Sequence, residues 1–128
     1  MFIIDEDGTT LKVTRGSSGS ITFGALDPEG NPYTFVSGDV LRLNVTKANK
    51  EDAVVMSVDS IVEEDTEEVT ISITSFDSQI GTVINKPTDY WYDIELNPDS
   101  SVAQMLLGYD DEGPKIFRLY PESIKEGI

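Results

Sequence analysis

The sequence predicts an all-β domain, a sandwich or barrel of seven or eight short strands, and three observations carry that prediction. Apolar residues recur at every second position in several short runs, the signature of strands with one face buried. Glycine and proline punctuate the chain between those runs. Helical periodicity is almost absent.

The clearest runs are Leu11/Val13, Ile21/Phe23/Ala25, Leu41/Leu43/Val45, Val69/Ile71/Ile73 and Tyr90/Tyr92/Ile94/Leu96. Polar residues fill the alternate positions: Arg42, Asn44 and Thr46 in the third run, Thr70, Ser72 and Thr74 in the fourth. β-branched and aromatic side chains dominate throughout, as a pleated, half-buried surface favours. Residues 53–58, 102–107 and 116–120 form further apolar runs whose buried phase is ambiguous. Asp27-Pro28-Glu29-Gly30 has the chemistry of a type I turn, Gly38-Asp39 opens a strand, Asn97-Pro98-Asp99 closes one, and Gly113-Pro114 precedes the last. Residues 75–81 break the pattern. Ser75 is a candidate N-cap, Gly81 a stop, and Phe76 and Ile80 are four apart, which predicts one short helical turn crossing between sheets. The acidic run 63–68 reads as a solvated hairpin tip whose repulsion disfavours edge pairing.

A chain of 128 residues makes one ordinary domain, expected to span 1–128. With 24 acidic and 9 basic residues the formal charge is −15, a field that repels phosphate backbones and anionic lipids. The basic residues are scattered among acids, so nucleic acid is not an expected partner. The start, Met1-Phe-Ile-Ile-Asp-Glu-Asp, lacks the charged start and apolar stretch of a secretory signal, and no run is long enough to insert in a membrane as a helix. The expected site of synthesis is the cytoplasm.

Catalytic inventory is thin. The chain has no histidine and no cysteine, which removes the commonest general base, the usual nucleophile–base pairs, thiolate zinc sites and disulfides. Carboxylate pairs suited to glycoside chemistry carry no information among 24 acids. Arg15-Gly-Ser-Ser-Gly19 lacks the Lys-Ser/Thr of a phosphate loop and reads as a turn. Asp5/Glu6/Asp7 and Asp110/Asp111/Glu112 offer oxygen ligands for calcium without the alternating spacing of a helix–loop–helix site, and a polar turn explains the second group equally. The expectation is a non-enzyme with no cofactor and no metal.

Trp91 is the most informative single residue. In its run it falls on the face opposite Tyr90, Tyr92, Ile94 and Leu96, together with Asp93 and Glu95. An outward tryptophan beside carboxylates can stack a sugar ring or anchor a protein interface. The plainer reading lays it under the aliphatic stem of a neighbouring Arg or Lys. Arg42 takes the same outward phase, so its expected cross-strand partner is Asp93 or Glu95. Trp91, Arg42, Asp93 and Glu95 are therefore the predicted interface residues.

The order Val13-Thr-Arg-Gly16, Ser20-Ile-Thr-Phe23, Asp27-Pro-Glu-Gly-Asn-Pro-Tyr33, Ser37-Gly-Asp-Val-Leu-Arg-Leu43 and Asp89-Tyr-Trp-Tyr-Asp-Ile-Glu-Leu96 resembles the N-terminal domain of bacteriophage baseplate upper proteins. It is also similar to related small prophage structural proteins of Gram-positive bacteria. Each piece is common turn chemistry, and the resemblance lies in order and spacing; Ser17 stands where family members often carry Asp or another polar residue. It implies an immunoglobulin-like β-sandwich that docks, without catalysis, onto other virion subunits as one of many copies in a tail or baseplate; a homo-oligomer is the other expected partnership. Baseplate upper proteins continue into a long oligomerising, receptor-proximal region outside this resemblance, so a host-receptor role is not implied. A carbohydrate-binding or adhesin-type sandwich using Trp91 or the acidic loops is the second reading.

Overall fold

Alternation of β-branched or aromatic side chains with polar ones produces nine strands among the described residues of the computed structural model: β1 (Phe2–Ile4), β2 (Leu11–Thr14), β3 (Gly19–Phe23), β4 (Val40–Lys47), β5 (Lys50–Ile61), β6 (Val69–Ile73), β7 (Thr88–Leu96), β8 (Gln104–Leu107) and β9 (Lys115–Tyr120). The structure describes residues 2–4, 10–25, 29–47, 50–81, 86–101, 103–107 and 113–121, with backbone alone at 2–4, 50–53 and 107. The runs expected from the sequence all coincide with strands, and β1 is the addition. The first two residues of the expected Asp27-Pro28 turn and both groups considered for calcium lie outside the described residues.

One sheet runs in the order β1-β2-β9-β7-β4-β5, with β8 also on β7; the other is the antiparallel pair β3-β6. Parallel pairing of β2 with β9, antiparallel β9-β7-β4-β5, and an opposing β3-β6 pair make this an immunoglobulin-like sandwich. Its two halves share one core. Leu11 and Val13, Leu41, Leu43 and Val45, Val69, Ile71 and Ile73, Tyr90, Tyr92, Ile94 and Leu96, and Phe117 and Leu119 are all buried in it. Phe35, between β3 and β4, is also wholly buried and meets Tyr33 edge-on with ring centroids 5.0 Å apart.

β8 and β9 occupy the same edge of β7 in succession. β8 pairs residues 94–96 and β9 pairs residues 88–92, so the ladder is interrupted beside Asp93. That interruption shapes the site described below.

Two local expectations are corrected. No helix forms among the described residues; instead the Ser78 N–H reaches the Thr74 carbonyl across one turn at 3.4 Å. The cap is Thr74, not Ser75: the Thr74 N–H donates to Asp77 Oδ2 at 2.7 Å, and the Asp77 N–H donates to Thr74 Oγ1 at 3.2 Å. Phe76 and Ile80 do not share a face, for Phe76 is 80% exposed and Ile80 is 4% exposed. The acidic run 63–68 is likewise no hairpin tip. It connects β5 in one sheet to β6 in the other, with Thr66 bridging Phe35 and Asp65 Oδ1 accepting the Ser37 N–H.

Candidate interaction face

The outer face of the larger sheet is assembled by register. Facing positions place Arg42 between Asp59 and Glu95, Asn44 between Ser57 and Asp93, and Thr46 beside Trp91. On β7 the core takes Tyr90, Tyr92, Ile94 and Leu96, which leaves Trp91, Asp93 and Glu95 half-buried on the outer side. All four predicted interface residues therefore lie on this face.

They do not form one cluster. Arg42 faces Glu95 across the ladder and Trp91 faces Thr46, so about 13 Å of strand separates Arg42 from Trp91. Nor does Arg42 pair with Asp93 or Glu95. Its Nε and Nη2 donate to Asp59 Oδ1 and Oδ2 at 2.7 and 3.0 Å, and its Nη2 also reaches Asp99 Oδ2 at 3.1 Å. The hairpin partner β5 presents Asp59 directly opposite, and the turn after β7 brings Asp99 alongside, which satisfies the planar guanidinium fork. These hydrogen bonds raise the Arg42 pKa and hold the Asp59 carboxyl below the usual carboxylate range. At the other side of the face, Arg118 Nε donates to Asp89 Oδ1 at 2.7 Å.

Asp93 and Glu95 share a single donor. Asn44 Nδ2 lies 3.1 Å from Asp93 Oδ1 and 3.1 Å from Glu95 Oε1, while Ser57 Oγ donates to Asn44 Oδ1 at 3.1 Å. The serine hydroxyl fixes the amide orientation, so its two N–H groups point at the two carboxylates. Burial pushes the Asp93 carboxyl above its ordinary range, only partly offset by the Asn44 hydrogen bond.

At the interruption between β8 and β9 the face opens into a cleft of about 240 Å³ lined by Thr46, Trp91, Tyr92, Asp93, Met105, Pro114 and Lys115. Met105, opposite Glu95 in the ladder, is 56% exposed. A larger depression of about 730 Å³, beside the acidic connection, is lined by small side chains and carboxylates such as Ala25, Thr34, Asp65 and Glu67, with no aromatic ring among the described residues that line it. Chemically, the Trp91 cleft offers an indole, an exposed thioether and a half-buried carboxylate side by side. Among the described residues no group of three or more acidic side chains is placed to hold a metal ion.

Asn44, Thr46 and Met105 were not among the predicted interface residues. The alternation that places Arg42 outward places Asn44 and Thr46 there too, so those two were within reach of the sequence. Met105 was not, because its place depends on the long-range pairing of β8 with β7.

The fold and this face together define the class: an immunoglobulin-like sandwich bearing an aromatic cleft on its larger sheet. No protein-family model and no curated protein matches the chain.

Proposed function

We propose that this chain is a non-catalytic interaction module that docks onto a protein subunit through the cleft around Trp91, as a component of a phage or phage-like particle. The observation that carries the docking reading is Trp91 itself, set beside the exposed Met105 on a sheet face whose arginines are held in ion pairs. Aromatic and Met side chains are enriched in interface cores, and tryptophan is prominent among the residues whose truncation weakens binding most. The virion context rests on the resemblance to baseplate upper proteins.

A second reading is favoured by one specific observation. Asn44, Asp93 and Glu95 form a fixed polar row beside the indole, a combination that also suits a saccharide. Co-expression with the products of neighbouring genes, alongside a glycan array, separates the two. Tail or capsid genes nearby and a complex with one of their products support docking; a saccharide hit without any complex contradicts it.

A further inference from the structure

We infer that the Trp91 cleft receives a lysine or arginine side chain from the partner protein, its aliphatic stem packed between Trp91 and Met105 and its cationic end on Asp93. This rests on the docking reading and names the chemistry of what docks.

Three observations on the outer face lead there. Asp93 and Glu95 occupy successive outward positions of β7, yet their described side-chain hydrogen bonds come from one amide, that of Asn44. A carboxylate accepts up to about four hydrogen bonds, so both retain capacity for donors. The arginines of the face do not supply them, since Arg42 is held by Asp59 and Asp99 and Arg118 by Asp89. Asp93 thus combines partial burial, a like-charged neighbour and a deficit of donors, and an incoming cation compensates the charge and supplies the donors.

The apolar part of the cleft fits the same occupant. Trp91 and Asp93 are two residues apart on one strand face, about 7 Å along the chain, close to the length of a lysine stem with its ammonium. A cation crossing the indole gains from the ring quadrupole, and its methylenes gain from contact with Met105 and Pro114. Lys115 also lines the cleft, but it alternates with Phe117 and Leu119 on the buried side of β9, and no ion pair joins it to Asp93 among the described residues. The formal charge of −15 draws a basic segment toward the domain from a distance. A neutral saccharide uses the indole but leaves the paired carboxylates uncompensated.

Trp91 is the only tryptophan in the chain, so its fluorescence reports on this cleft alone. The probe is a Gly-Lys-Gly-Lys-Gly peptide, compared with the same peptide acetylated on both Nζ atoms and with a neutral oligosaccharide. We expect a saturable change in Trp91 emission with the lysine peptide, weakened about tenfold by acetylation and about tenfold by Asp93→Asn, and unchanged by Asp59→Asn. Acetylation tests the charge on the unaltered chain, so the result does not depend on the Asp93→Asn variant. Equal response to the acetylated peptide, no response to the lysine peptide, or saturation by the oligosaccharide overturns the inference. Failure here, together with partner binding that still depends on Trp91, removes the cation and leaves the docking reading; loss of both removes the docking reading as well.

Discussion

Tyr92 and Asp93 are neighbours in sequence with opposite fates. Tyr92 is buried in the core and Asp93 is half-buried on the outer face, so Tyr92→Ala is expected to cost about 3–5 kcal/mol and Asp93→Ala under about 1 kcal/mol in denaturant unfolding. The reverse ranking would invert the assignment of faces. The pH response of Asp93 follows from its environment. Because burial raises its pKa in the folded chain, the folded state holds that proton more tightly than the unfolded one, and stability falls as pH rises above the ordinary value of 3.8 toward the raised one. Asp93→Asn is therefore expected to raise the melting temperature relative to the parent chain at pH 7 more than at pH 3. Asp59, lowered by Arg42, acts with the opposite sign: its contribution is present above the ordinary range and lost as pH falls. At this scale the sequence displayed the inward and outward phases of β7 clearly, because alternation is local. The pairing of Arg42 with Asp59 was hidden, because it depends on which strands become neighbours. Phe35 was hidden too, since it is buried from a connecting segment with no alternation around it.

Among the elements, the turn after β6 is tied to the opposite sheet by side-chain hydrogen bonds. Arg15 Nε and Nη2 donate to the carbonyls of Ile80 and Gly81, each at 3.0 Å, and the buried Ser78 hydroxyl donates to the Ser17 carbonyl at 2.8 Å. These contacts bind the connection between the sheets to the turn between β2 and β3. Arg15→Lys keeps the charge but loses the fork, and is expected to cost about 1–3 kcal/mol. Gly81 has φ +68°, and a Cβ there would stand 3.3 Å from Tyr90 Oη, so Gly81→Ala is expected to cost about 1–2 kcal/mol. Phe76→Ser, at the exposed tip of the same turn, should leave the melting temperature unchanged within about 1 °C. A scan in which Phe76→Ser proved the most damaging would show that the turn packs differently. The sequence marked a turn here through Ser75 and Gly81, but the cap moved one residue to Thr74 because Asp77 answers it reciprocally. The phase of β5 resisted reading for a definable reason. Register shifts on β5 opposite Val45 and Thr46 set Val54, Val55 and Met56 consecutively against two partners, so strict alternation fails there.

At the scale of the whole molecule, the expected strands appear as the two sheets of an immunoglobulin-like sandwich, with β1 added at one edge of the larger sheet. Strand identity was legible because each strand carries its own pattern. The crossing of residues 63–68 between sheets was not, since an acidic run looks alike at a hairpin tip and on a crossover. A formal charge of −15 sets the behaviour in solution: thermal stability and any self-association should both increase as salt shortens the Debye length to about 8 Å near physiological ionic strength. Binding to a basic partner should weaken over the same range, and sedimentation across a salt series distinguishes the two. With no cysteine in the chain, reductant should not alter its unfolding.

The proposed docking at Trp91 makes any complex with a partner subunit depend on that indole. Its most direct test is sedimentation velocity of the chain mixed with the subunits encoded beside its own gene, comparing the parent with Trp91→Ala. Docking through the indole gives a complex whose affinity drops at least about tenfold on that substitution, with the domain itself still folded. A complex that binds Trp91→Ala as tightly as the parent chain would contradict it.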